Sequence, residues 1–312
     1  MFKLILALTL ALSLALTPAL PVLAQERISP SARAIDFLKT KQNDDGGFSN
    51  GFAPESDLTT TADAVIAASL AGQDPETVFT IGTVTPLTYL ETQVAGGQVS
   101  STGQIAKVML AVIAAGEDPE EFAGHNLVED LAATQGKDGL FGAGAFDHCL
   151  AMIAQQTTEI EANGTVEALL GAQNEDGGWG FMAGEKSDTN TTGLCLQALA
   201  LTESPEAVEA GFAYLSAIQN EDGGWPYQNP SEYGTDSDAN STALVIQALV
   251  ANSEDLAEWN SPQDWLLSMQ LESGAFSFQA AMPGDNVLAT VAAIPALEAK
   301  PLNAWAMAAR DE

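Results

Sequence analysis

The sequence predicts an all-α protein of six helical hairpins in two layers, and three observations carry that prediction. A phrase built on Gln, Asp and two glycines recurs along the chain, an amphipathic segment precedes the copies, and a segment apolar on every side follows. The phrase reads KQNDDGGF from Lys41, AQNEDGGWGF from Ala172 and IQNEDGGWPY from Ile218, with weaker copies TQGKDGLF from Thr134, MQLESGAF from Met269 and TQVAGGQ from Thr92. Its anchoring glutamines are Gln42, Gln93, Gln135, Gln173, Gln219 and Gln270. They recur about every 46 residues on average, a period that marks repeat architectures. Units of that length occupy residues 25–312 as one domain.

Residues 1–24 read as a secretory signal peptide: Lys3 heads an apolar run from Leu4 to Leu16, Pro18 and Pro21 break it, and Val22 and Ala24 are small residues before a cleavage point. The mature chain then starts near Gln25, in the periplasm or outside the cell. No later apolar run is long enough to span a bilayer.

Within each unit the elements follow in order. Bulky apolar pairs stand five and four positions before the glutamine (Phe37-Leu38, Tyr89-Leu90, Tyr214-Leu215, Trp265-Leu266), which places them on one face of a helix. The Asp-Gly-Gly that follows ends this helix, because glycine tolerates the left-handed conformation. After a polar loop come TADAVIAASLAG, IAKVMLAVIAAG, FDHCLAMIA, TTGLCLQALAL, STALVIQALVA and ATVAAIPAL, apolar all round and therefore buried all round. Amphipathic helices belong outside and apolar ones inside. Periodicity alone leaves open whether the six pairs close into a barrel or form an open solenoid.

Composition removes several function classes. Against 42 Asp and Glu stand 10 Lys and Arg, a formal charge of −32 that repels nucleic acid and anionic membranes. Three basic residues, Lys107, Lys137 and Lys186, lie between Gln42 and Ala299, too few for a diphosphate clamp. Cys149 and Cys195 form neither a disulfide framework nor a zinc cluster and read as small buried residues. The carboxylates of the QNEDGG phrase lack the spacing of a calcium loop. Asn163, Asn190 and Asn240 start glycosylation-type triplets that are read as chance.

The units resemble the QW repeats of squalene and hopene cyclases and of their protein prenyltransferase relatives. Arg33-Ala34, Phe37-Leu38, Gln42, Gly46 and Phe48 follow that pattern with Phe for Trp, and Gly211, Tyr214-Leu215, Gln219, Gly223 and Trp225 follow it without the basic residue. The resemblance implies an (α/α)6 toroid of six helical-hairpin repeats, in which the glutamine ties the end of one outer helix to its neighbour.

The chemistry of that family fits less well. A cyclase protonates an alkene with the central acid of Asp-x-Asp-Asp-Thr-Ala, but here the frame reads Asp238-Ala239-Asn240-Ser241-Thr242-Ala243, and one repeat earlier Asp188-Thr189-Asn190-Thr191-Thr192-Gly193. The central acid is an amide in both. Cyclases also face migrating cations with aromatic rings, and Phe146 is the one aromatic residue of the six inner segments. A prenyltransferase holds zinc with Asp-x-Cys and a later His. Asp147-His148-Cys149 has the first spacing, but no histidine follows His148. Corrinoid carriers share such a barrel but add a β-rich domain, and the Cys-Gly-Glu-Gln of thioester proteins is absent.

Polar residues at the inner-helix starts remain: Asp57, Thr61, Gln104, Asp147, His148, Asp188, Asn190, Asp236, Asp238, Asn240, Asp285 and Asn286. Most suit helix capping, Asn240 among them. Asp236, further from its helix, is freer to face a mouth. Barrel closure gathers these starts into an acidic, amide-rich rim above an aliphatic interior. The rim suits an apolar, neutral or cationic small ligand, or a peptide, without cofactor or metal. A secreted, non-catalytic binding or scaffold module is the reading this favours. The alternatives are an isoprenoid cyclase using Asp238 as a non-standard acid, and a carbohydrate-active α/α-barrel enzyme working through two carboxylates.

Overall fold

A computed structural model describes residues 28–158 and 164–310. The signal-peptide segment 1–24 and Asn163 lie outside the described residues. Among those residues the regular structure is helical, with isolated bridges and no extended strand.

Six inner helices form a ring: α2 (Leu58–Leu70), α5 (Thr102–Ala114), α7 (Ala145–Gln155), α9 (Thr189–Leu199), α11 (Ala239–Ala251) and α13 (Val287–Leu297). Each packs on the next, and α13 packs back on α2. The ring is therefore a closed barrel. Around it stand α1 (Pro30–Lys39), α4 (Pro86–Ala95), α6 (Leu127–Ala132), α8 (Thr165–Gly171), α10 (Pro205–Ile218) and α12 (Pro262–Ser268). The short α3 (Pro75–Val78) and a 3-10 turn at Leu256–Trp259 lie in connections, and α14 (Ala304–Arg310) ends the described chain.

Four of the outer helices, α1, α4, α10 and α12, start where the sequence puts Ser or Thr before Pro, while α6 and α8 follow Asn126 and Gly164. Ser29 caps α1 ahead of Pro30, and Thr85 closes a reciprocal capping box with Thr88 ahead of Pro86. They end at the repeated phrase. Gly46, Gly177, Gly223 and Gly274 sit at φ between 88° and 92°, each beneath a backbone carbonyl of the next repeat, so a β-carbon would meet both strain and collision.

The glutamine amides do the tying. Gln42 Nε2 donates to Gly46 O and to Phe79 O of the next repeat, and Gln173 and Gln219 repeat this with Ala207 O and Trp259 O. Gln270 donates to Gly274 O and, at 2.8 Å, to Pro30 O, so the last repeat grips the first. Arg33 Nη2 strengthens that seam by donating to Leu271 O at 2.6 Å. Gln93 departs from the pattern: it stays inside α4, which ends at Gly96. The aromatic of each motif (Phe48, Phe141, Trp179, Trp225, Phe276) is fully buried between the layers.

Two features differ from the sequence reading or go beyond it. Cys149 on α7 and Cys195 on α9 are joined as a disulfide, not merely packed, because their separation of 46 residues is one repeat length and brings neighbouring inner helices to a Cα–Cα distance of 4.9 Å. The segment from Pro301 also packs back on the barrel: Leu302 N donates to Gln197 Oε1 and Asn303 Nδ2 to Gln197 O. Leu302 thereby becomes part of the cavity floor.

Candidate functional site

A cavity of about 190 Å³ lies on the barrel axis, and every inner helix contributes to its wall. Counted from the helix caps, positions two and six residues on supply most of the lining, since residues four apart share a helical face. The first level gives Phe146, Asn190, Asn240 and Leu288, and the second Asp63, Lys107, Leu150, Leu194, Leu244 and Ala292. Deeper lie Ile66, Gln247 and Pro295. The wall is mainly aliphatic with a few placed polar groups, the general make-up of a small-molecule site.

Of the candidates read from the sequence, the structure brings two into this cavity. Asn190 and Asn240 line it, and the Oδ1 of each is buried without a hydrogen-bond partner. Asn240 is therefore not a cap, which corrects the expectation: α11 is capped by Asp238, because two residues further on a side chain already points at the axis. Gln247 joins them, 3% exposed with its Oε1 unpartnered.

The other candidates serve the framework. Asp188 Oδ1 accepts from Thr191 N and its Oδ2 from Thr191 Oγ1, and Asp238 holds Ser241 N and Oγ in the same way, all at 2.8 Å. Burial outweighs these bonds and raises both carboxyls, that of Asp238 to about 6. At Asp57 burial also pushes upward, but hydrogen bonds from Thr60 and Thr59 prevail and its carboxyl titrates below its usual range. Asn286 caps α13, and Gln104 completes a capping box with Ser101.

Thr61 accepts from Phe48 N, as Thr192, Thr242 and Thr290 accept from the motif aromatics of their repeats. In α7 that place is taken by His148. It is fully buried, its Nδ1 accepts from Phe141 N and its Nε2 faces Thr165 O at 2.9 Å. The backbone donor fixes the neutral tautomer with the proton on Nε2, and burial holds the ring's pKa low. With His148 so engaged and Cys149 bridged, Asp147-His148-Cys149 has no zinc-binding capacity. Asp147 packs against Gly103 and Gly142, and burial raises its carboxyl.

The expected acidic rim does not converge on one point. Asp236 is exposed, while Asp285 accepts from Ser273 Oγ and lines, with Asn286, Phe37, Lys41 and Phe52, a separate surface crevice.

Sequence reasoning missed the charged part of the cavity. Lys107 Nζ meets Asp63 Oδ1 at 2.7 Å, with side-chain exposures of 14% and 31%. The signal was present: each is the only charged residue of its apolar inner segment, they lie 44 residues apart, and both stand six residues after a cap.

Comparison with known proteins agrees with this architecture. A family model of the prenyltransferase alpha-alpha toroid domain matches residues 10–224 and, overlapping, 145–286. The chain belongs to this family. No curated protein matches it. Solved structures similar to this toroid include a protein from Actinoplanes, 16% identical with TM-score 0.62, covering 86% of this chain and 98% of that one. A glycosidase in complex with glucose is 12% identical with TM-score 0.64, covering 87% and 97%. The type II terpene cyclase MstE from Scytonema, in a variant bound to its substrate geranylgeranyl dihydroxybenzoate, is 14% identical with TM-score 0.62, covering 89% and 97%. At these identities the likeness is one of fold.

Proposed function

We propose that this toroid is an exported binding module that holds a small molecule inside its barrel without transforming it. The observation that carries the reading is Asn240: the residue in register with a cyclase's proton donor lines the cavity as an amide, with an unpartnered carbonyl. An amide can hold a ligand but cannot protonate an alkene. Asp238, the alternative acid, spends both oxygens on Ser241. A cavity of about 190 Å³ is also below the ~300–1,000 Å³ usual for drug-sized ligands. The carbohydrate-active alternative asks for two carboxylates flanking one bond, whereas the cavity wall carries one, Asp63, paired with Lys107. Export is supported by the leader pattern of residues 1–24 and by the buried Cys149–Cys195 bridge, which suits an oxidising compartment.

The test is incubation of the mature protein with squalene and its epoxide, followed by product analysis. No cyclic product is expected. A cyclic product that disappears in Asp238→Asn would replace this reading with the cyclase alternative. N-terminal sequencing of the exported fraction should begin at or near Gln25. Recovery of the chain in the cytoplasm with residues 1–24 intact contradicts export.

A further inference from the structure

We infer that the barrel cavity takes a small uncharged molecule with an apolar middle and a hydroxyl at each of two opposite ends. This rests on the reading of the cavity as a binding site and names the class of ligand that fits it. The ring order α2, α5, α7, α9, α11, α13 sets α9 across the barrel from α2 and α11 across from α5. Asn190 and Asn240 therefore face the Asp63–Lys107 pair from the opposite wall, and the walls between are apolar, with Phe146 and Leu150 from α7 and Leu288 and Ala292 from α13.

Each pole asks for the same chemistry. The carbonyl oxygens of Asn190, Asn240 and Gln247 are buried and unpartnered. Such groups cost stability unless water or a ligand fills them. An amide sets an acceptor beside a donor, so its full complement is a group that both gives and takes a hydrogen bond. A hydroxyl does both, an ammonium only donates and a carboxylate only accepts. The match holds for either orientation of the Asn190 and Asn240 amides, whereas Gln247 Nε2 already donates to Ala243 O and the side chain offers an acceptor alone. On the far wall Lys107 offers a donor beside the Asp63 acceptor, and their 2.7 Å pairing leaves the cavity with no net charge. A ligand with net charge would be buried there without a counter-ion. The volume of about 190 Å³ suits a six-membered carbocycle with two substituents rather than a longer chain.

The experiment uses the exported protein with matched probes on one carbon skeleton, read by saturation-transfer NMR and calorimetry: trans-cyclohexane-1,4-diol, cyclohexanol, trans-1,4-diaminocyclohexane and cyclohexane-1,4-dicarboxylate. The diol is expected to bind about ten-fold more tightly than cyclohexanol, the difference made by the second pole, and the charged probes more weakly than either. Asn190→Leu and Asn240→Leu should each weaken the diol about ten-fold. Asn240→Asp should place trans-4-aminocyclohexanol above the diol, a reversal that a purely structural asparagine would not produce. Where that variant fails to fold, Asn190→Asp makes the same test. Cyclohexanol binding as tightly as the diol, a charged probe binding best, or diol affinity untouched in both leucine variants overturns the inference while leaving the cavity a binding site. Silence from every probe overturns the inference and counts against the binding reading as well.

Discussion

Asp238 is held by two bonds that favour its charged form, yet burial prevails and lifts its carboxyl to about 6. The unfolded chain ionises this group near its ordinary value of ~3.9. Folding is therefore favoured most below that pH, and the advantage is lost as pH rises through about 6, by ~3 kcal/mol in all. Asp238→Asn keeps an oxygen for Ser241 N and removes the titration. Its melting temperature should gain on the wild type between pH 4 and pH 7, and a constant difference across that range would contradict this account. Asn190 and Asn240 make the opposite case, for each buries a carbonyl without a partner. Asn190→Leu and Asn240→Leu should each leave stability unchanged or raise it by about 1 kcal/mol in urea unfolding. A loss of that size would show that the amides hold the fold rather than await a ligand.

Among the elements, α7 and α9 are joined covalently. The Cys149–Cys195 bridge closes a loop of 46 residues, worth about 4 kcal/mol if it acts by restricting the unfolded chain. The paired change to alanine should lower unfolding free energy by that order, and the unreduced native protein should take up no alkylating agent. The alternation of outer and inner helices was legible because it depends on local pattern: bulky pairs before each glutamine, glycines after it, and apolar residues beyond. The caps Asp57, Asp188, Asp238 and Asn286 were legible for the same reason. The Cys pair and the Asp63–Lys107 pair were missed because they depend on which helices stand side by side. In a closed ring, residues at matching depth on neighbouring inner helices become partners, so overlaying those helices from their caps would have set Asp63 against Lys107, both six residues on, and Cys149 near Cys195, five and seven residues on. The return of Leu302 to the barrel floor carries no such periodic signal.

At the scale of the whole molecule, closure depends on the seam between the last repeat and the first. Gly274 sits there at φ 91°, and a β-carbon would stand 2.3 Å from Arg33 O. Gly72 has a similar sign of φ, at 73°, with nothing near its missing side chain. Gly72→Ala should therefore cost about 1 kcal/mol of backbone strain, and Gly274→Ala at least twice that, compared by thermal unfolding. Equal effects would mean that the seam yields without cost.

The closed ring gives the chain an interior, and the central claim is that this interior holds a ligand. Ala292 stands on its wall, and Ala292→Phe would fill much of the space while leaving the seam and the caps alone. Native mass spectrometry of protein taken from its own source tests the claim most directly. The wild type should carry a non-covalent adduct of one small molecule, and Ala292→Phe, folded by circular dichroism, should lack it. A wild type with no adduct, or a variant that keeps the adduct, would contradict the account.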